Sequence, residues 1–285
     1  PQLSAKRVLG IGSVGFSAIL FAPLRVGEFV RPWLLAQDRE VFFVEAAGTV
    51  VAERVVDGLL LTSILAVSLW LATPLSPLPD HLGNLHLPVA LIPAISLSAF
   101  TTFLLAFAAM LLFYFWRAAA HKLVSRIVGL VSQPLAAWVT RQIERFADSL
   151  QFLFSPRDGI AFLRDTVAYW LVTALSLWLL LRGSGAPASF SQTCVTLGVL
   201  GLSTLLPSGP GFFGTYQLGA YCGLSMFFPE SMVLNAGAVF TFVSYTVQLA
   251  MGVLVLLAGM WLMSTTTPGA ARNHERADIA ERKAS

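Results

Sequence analysis

Residues 205–216, LLPSGPGFFGTY, set a Pro-Ser-Gly-Pro-Gly break in the middle of about 38 mostly apolar residues, 190–227. Such a break frees backbone N–H and C=O groups, and in hydrocarbon each is costly unless protein or a water-filled cavity satisfies it. The break, built on Pro207, Gly209, Pro210, Gly211 and Gly214, therefore belongs inside the protein and lines something. Each flanking arm of roughly 17 residues measures about 25 Å, short of a hydrocarbon core about 30 Å thick. The pattern predicts a re-entrant helical hairpin.

A weaker copy lies near the start. Residues 8–22 are too few to span comfortably, and they run into Pro23, Arg25, Gly27 and Glu28 before a short helix to about Gln37. Two Gly/Pro-interrupted apolar segments at matching places in two halves are the sequence pointer to a transporter's binding site.

With 56% hydrophobic and 12% charged residues and a mean hydropathy of +0.75, the chain reads as an all-α, polytopic membrane bundle. Long apolar or near-apolar helices are expected over 46–72, 89–116, 160–181 and 232–263, joined by a proline-rich loop over 73–88. One transmembrane domain, 1–263, accounts for them, and 264–285 reads as a mobile polar tail. Residues 117–158 change character. Val139, Ile143, Phe146, Leu150 and Leu153 recur at three- and four-residue spacing, which predicts an amphipathic helix pair interrupted at Pro134 and lying along the membrane or capping the bundle. The chain opens on Pro and shows no signal peptide, which leaves open whether helices precede it.

Basic residues fix an orientation. Six of the 18 Lys and Arg lie in 117–158 and four in the tail, whereas loops 73–87, 183–189 and 228–231 have none, so the first set is expected in the cytoplasm and the second outside. The broken hairpins then enter from opposite faces, as an inverted repeat requires. A sequence pI near 9.1 is thereby explained by topology, and no nucleic-acid partner is expected. Cys194 and Cys222 read as small apolar packing residues.

GIGSVG at 10–15 and GPGFFG at 209–214 match a dinucleotide fingerprint in letters only, because no βαβ unit surrounds them; close helix packing is the better account. The charges inside apolar sequence carry more weight. Glu53, Arg54 and Asp57 fall on one helical arc, and Arg25, Glu28 and Arg31 form an i,i+3 ladder after the first break. Intramembrane charges face the interior and mark a pathway, or they form an ion-pair network tying the first hairpin to the next helix; both can hold. In the second hairpin Ser208, Thr215, Tyr216 and Gln217 are the polar groups, beside a helix N-terminus that either receives an anion or is capped by Ser208. The four histidines show no ligand spacing, and no catalytic residue, metal or cofactor is expected.

PLRVGEFVRPWLL, then TVVAERVVDGLLLTSIL, then LLPSGPGFFGTYQLGAY resemble the ordered signature blocks of the lysylphosphatidylglycerol synthase transmembrane-region family of flippase-like proteins. Pro23, Gly27, Glu28 and Arg31 match the first block, Glu53, Arg54 and Asp57 the second, and Pro207, Pro210, Gly211, Gly214, Thr215 and Tyr216 the third. The resemblance implies a bacterial-type inner-membrane protein that moves lipids between leaflets. Gln217 stands where many members have Glu, and no counterpart of the aminoacyl-transferase domain is seen, so lysyl transfer is not expected. The expected function is translocation of an anionic phospholipid or related lipid, with membrane lipids as partners. An accessory subunit or membrane-embedded transferase of lipid or glycolipid synthesis is the alternative.

Overall fold

The computed structural model of the chain describes residues 4–37, 41–130 and 132–266. The polar tail lies outside these residues from 267 onward, and 264–266 finish the last helix. Helix α1 (Ala5–Phe21) is capped by Ser4, whose Oγ accepts from Arg7 N–H at 3.3 Å. Its run stops at Pro23, which supplies no N–H for another turn. A 3-10 turn, Pro23–Phe29, leads into α2 (Val30–Gln37), and α3 (Phe43–Leu71) follows.

The loop after α3 holds a miniature hairpin that the sequence reading did not anticipate. Strand β1 (His81–Leu82) pairs antiparallel with β2 (Leu85–His86), and Gly83 turns the chain at φ 58°. Helix α4 (Ile92–Phe115) continues into α5 (Arg117–Gly129) and α6 (Gln133–Ser149). Pro134 sits in the first turn of α6, where its missing N–H costs nothing, behind the Ser132 cap. The short α7 (Gln151–Phe154) ends at Ser155, which caps α8 (Pro156–Gly183). Then come α9 (Phe190–Ser203), a 3-10 turn over Pro210–Phe212, and α10 (Thr215–Ser225). The last stretch joins α11 (Glu230–Met232), a π turn over Val233–Gly237 and α12 (Ala238–Thr266).

Among the described residues three helical stretches are long and apolar enough to cross a membrane: Val89–Phe115, Pro156–Gly183 and Glu230–Thr266. At most 17% of their most apolar windows is buried within the protein. Surfaces that apolar need lipid around them, and the chain is an integral, all-α membrane protein.

The loops that lack Lys and Arg gather at one end. Leu75 N–H donates to the Met226 carbonyl at 2.8 Å, Gly83 N–H to Glu230 Oε1 at 2.7 Å, and Leu82, Leu87, Leu181, Ala188 and Phe228 share one apolar cluster. The basic segment gathers at the other end, where α5 and α6 pack together, α6 packs on α3, and Arg145 stacks over the Phe42 ring at 3.4 Å. The amphipathic pair thus caps the start of α3.

Helix α1 lies along α12 in the opposite direction. Gly10 packs against Gly259, and Ser17 Oγ–H donates to the Gly252 carbonyl at 3.0 Å. The end of α1 therefore reaches only the middle of the Glu230–Thr266 stretch. From the opposite end, α9 delivers the second break to the same level: a Cβ on Gly211 would stand 3.0 Å from Leu249 and 3.1 Å from Tyr245 Oη. At 14 and 11 residues, about 21 and 16 Å, α9 and α10 are shorter than the arms expected from sequence. They pack closely because Gly219 and Gly223 of α10 leave room for Ser203 and Thr196 of α9.

Candidate functional site

The two breaks meet. The turn Pro23–Phe29 packs against the turn Pro210–Phe212, and each holds a non-glycine residue in the left-handed region, Arg25 at φ 58° and Phe212 at φ 56°. Such residues cost on the order of 1–3 kcal/mol each and persist only where packing overdetermines them. Gly211 and Gly214, at φ 74° and 87°, take the same region without that penalty. At Gly27 the requirement is steric, since a Cβ there would fall on the Ala18 carbonyl.

Beside this junction lies a cleft of about 620 Å³, within the range of ligand sites. Its walls come from α1, the first turn, α2, α3, Phe103 of α4, α8 and the end of α9. All six charged residues singled out in the first hairpin and α3 line it: Arg25, Glu28, Arg31, Glu53, Arg54 and Asp57. Arg25 Nε is 3.1 Å from Glu28 Oε1, Arg31 Nη1 donates to Glu53 Oε2 at 2.5 Å, and Arg54 Nη1 is 3.7 Å from Asp57 Oδ2. The i,i+3 ladder therefore stops at Glu28, and Arg31 crosses to α3 instead. Gly15 makes that reach possible, because a Cβ on it would stand 2.7 Å from Arg31 Cβ. These side chains keep between 22% and 40% of their surface exposed, so the pairs tie the hairpin to α3 while remaining open to the cleft.

Pairing leaves donors over. A guanidinium carries five N–H groups, and a single contact to a carboxylate leaves most of them available. Arg25 Nε is close to Glu28 but misaligned, and neither it nor Arg54 Nε makes a hydrogen bond within the protein although both atoms are buried. Trp170 Nε1, turned toward Asp57, is also buried without a bond of good geometry. A buried donor left this way costs about 1–3 kcal/mol until an acceptor meets it.

The polar residues of the second hairpin lie elsewhere. Ser208, Thr215, Tyr216 and Gln217 do not line this cleft; the α9 end contributes Gly201, Leu202, Thr204 and Leu205. Thr215 Oγ1–H donates to the Phe212 carbonyl at 3.1 Å, and the buried Tyr216 packs beside Tyr245 with ring centres 5.3 Å apart. Of the two readings of the helix start, capping by Ser208 does not hold: the helix begins at Thr215 after Gly214, whose N–H donates to Gln217 Oε1 at 2.8 Å. Ser208 is half-buried at the tip, between the exposed Pro207 and the exposed Gly209 and Pro210. Pro23 opens the first turn on its exposed side.

Helix α8 adds wall residues that sequence reasoning passed over. Asp165, Thr166, Tyr169 and Trp170 line the cleft, with Phe162 one turn earlier and Phe103 of α4 opposite. Their i, i+1, i+4, i+5 spacing marks one helical face, a signal present in the sequence. Asp165 and the neighbouring Arg164 form an exposed pair at 2.7 Å. Among the described residues no three His, Cys, Asp or Glu group as metal ligands.

The family model described as the lysylphosphatidylglycerol synthase TM region matches residues 2–252, which include every wall of the cleft. No curated protein and no solved structure matches the chain.

Proposed function

The chain belongs to the lysylphosphatidylglycerol synthase TM region family, and from that premise and the cleft we propose that it is a lipid translocase. The observation that carries the reading is the three guanidiniums of Arg25, Arg31 and Arg54, whose side chains keep 24%, 34% and 40% of their surface exposed on the wall of a cleft in an apolar bundle. A phosphate or carboxylate of an anionic phospholipid headgroup, or of a related lipid, supplies the acceptors they need. Glu28, Glu53 and Asp57 hold the guanidiniums in place, so the headgroup meets oriented donors rather than free positive charge. The cleft binds and passes its ligand without a covalent step, and no residue is assigned a catalytic role.

In this reading the two short helix pairs are re-entrant hairpins of an inverted repeat, one entering from each face and both ending at mid-depth. The meeting of their turns against the middle of α12 supports it. The basic end, with α5 and α6, faces the cytoplasm of a bacterial-type inner membrane, and the loops without Lys and Arg face outward.

Purified protein in liposomes carrying fluorescent lipids tests the proposal. Faster equilibration of an anionic lipid between leaflets than in protein-free vesicles is expected, with Arg54→Gln slowing the anionic lipid more than a zwitterionic one. Folded wild type that moves no lipid overturns it and favours an accessory subunit or transferase.

A further inference from the structure

A second hollow of about 530 Å³ adjoins the cleft, and Phe103 and Leu205 belong to the walls of both. Apart from Leu205 it is a single stripe of the Val89–Phe115 stretch, Leu91 and then α4 to Phe103, at three- and four-residue spacing, with small residues Ala94, Ser98 and Ala99 forming its floor. Thr102, the other hydroxyl here, spends its proton on the Ser98 carbonyl at 2.8 Å. The wall therefore offers a chain little to hydrogen-bond. Phe103 reaches the border between the hollows because Gly58 of α3 has no side chain; a Cβ there would fall inside the ring.

Depth matters most. The stripe covers about 18 Å of helix, slightly more than one leaflet's share of a hydrocarbon core about 30 Å thick. It begins at the end with the loops lacking Lys and Arg and stops at Phe103, near the middle of the Val89–Phe115 span. The charged cleft begins there and extends toward the basic end, along Arg54, Val50 and Gly12.

Building on the translocase reading, we propose that the α4 hollow is the seat of one acyl chain of the lipid whose headgroup occupies the cleft, and that Phe103 and Leu205 form the threshold between head and tail. The occupied lipid then has its head toward the basic end and its tail toward the other, which is the orientation of the leaflet at the basic end. A lipid merely lining α4 in the opposite leaflet lies the other way, head at Leu91 and tail end at Phe103. The site is thus loaded from the leaflet at the basic end, and its tail is carried past mid-depth.

The two arrangements predict opposite label orders. Purified protein in nanodiscs would be irradiated with two phosphatidylglycerol probes, one with a diazirine near the acyl carbonyl and one with a diazirine at the chain terminus, and the adducts mapped by mass spectrometry. The seat predicts the carbonyl-proximal probe at Phe103 and Thr102 and the terminal probe at Leu91 to Ile95, with both lost at least 5-fold in Ala99→Trp, which fills the hollow without touching the charged cleft. The reverse order, labelling unchanged by Ala99→Trp, or an Ala99→Cys variant that cross-links to a second copy across this face overturns the proposal. Liposome transport separates the two readings: the seat's label order in a protein that moves no lipid leaves the seat and removes translocation, and transport with the reverse order does the opposite.

Discussion

The Arg31–Glu53 contact ties the first hairpin to α3, and its worth follows from its geometry. Two unit charges about 4 Å apart attract by roughly 4 kcal/mol at an effective dielectric constant of about 20. The side chains are 34% and 22% exposed, and solvent screening brings the coupling down to about 2 kcal/mol, between a surface pair at about 0–1 and the 3–5 lost when a buried pair is broken. Arg54 and Asp57, 3.7 Å apart on one helix, belong with i,i+3 pairs worth about 0.2–0.5 kcal/mol. Thermal unfolding in detergent would be measured for each single variant and for both doubles. At roughly 2–4 °C per kcal/mol, Arg31→Gln and Glu53→Gln should each lower Tm by about 4–8 °C. Their double should be no worse than the poorer single, because removing both charges leaves none stranded. The Arg54→Gln, Asp57→Asn cycle should be additive within about 0.5 kcal/mol. Additive losses at Arg31 and Glu53, or stronger coupling at Arg54 and Asp57, would refute the ranking and the cross-link with it.

Gly27→Ala should cost at least about 1–3 kcal/mol and lower the folded yield, because the new methyl meets the Ala18 backbone, which cannot give way as a side chain can. Gly183→Ala, where nothing lies within 4 Å, is its control and should leave Tm unchanged by unfolding scans. Gly12→Leu places a side chain in open cleft and should leave Tm within a few degrees while lowering anionic lipid movement at least 10-fold; full activity in that variant removes the cleft from the path. In a background with Cys194 and Cys222 changed to Ala, Asn84→Cys should react with an impermeant maleimide on intact cells and Glu144→Cys only after permeabilisation, and the reverse pattern inverts the orientation.

What the sequence disclosed follows from what is local. Pro23 and Pro207 to Gly211 interrupt helices wherever they stand, so both breaks were visible in order, as were three of the four long helices, those over 89–116, 160–181 and 232–263. The charged residues were visible for a different reason. Side chains such as Glu53 and Asp57 are too costly in hydrocarbon to be placed without an interior to receive them, so their convergence on one cleft followed from their being there at all. Partner choice was not legible. The i,i+3 rule paired Arg31 with Glu28, but the absence of a side chain at Gly15 brings α2 onto α1 and turns Arg31 toward Glu53, a contact 22 residues away that no periodicity encodes.

The second hairpin shows the same limit from the other side. Its polar residues read as cavity lining because nothing local distinguishes a group facing a ligand from one facing its own turn. In the structure Thr215 and Gln217 spend their hydrogen bonds on Phe212 and Gly214, holding the chain through the left-handed Phe212 and Gly214, and Tyr216 packs under Tyr245. Gln217 supplies the acceptor that this bond requires and adds no charge. These side chains shape the tip that brings Leu202, Thr204 and Leu205 to the cleft, and the charge on its walls comes from the other hairpin, α3 and Asp165 of α8. One break therefore supplies the shape of the wall and the other its chemistry, although in sequence the two look like copies of one motif.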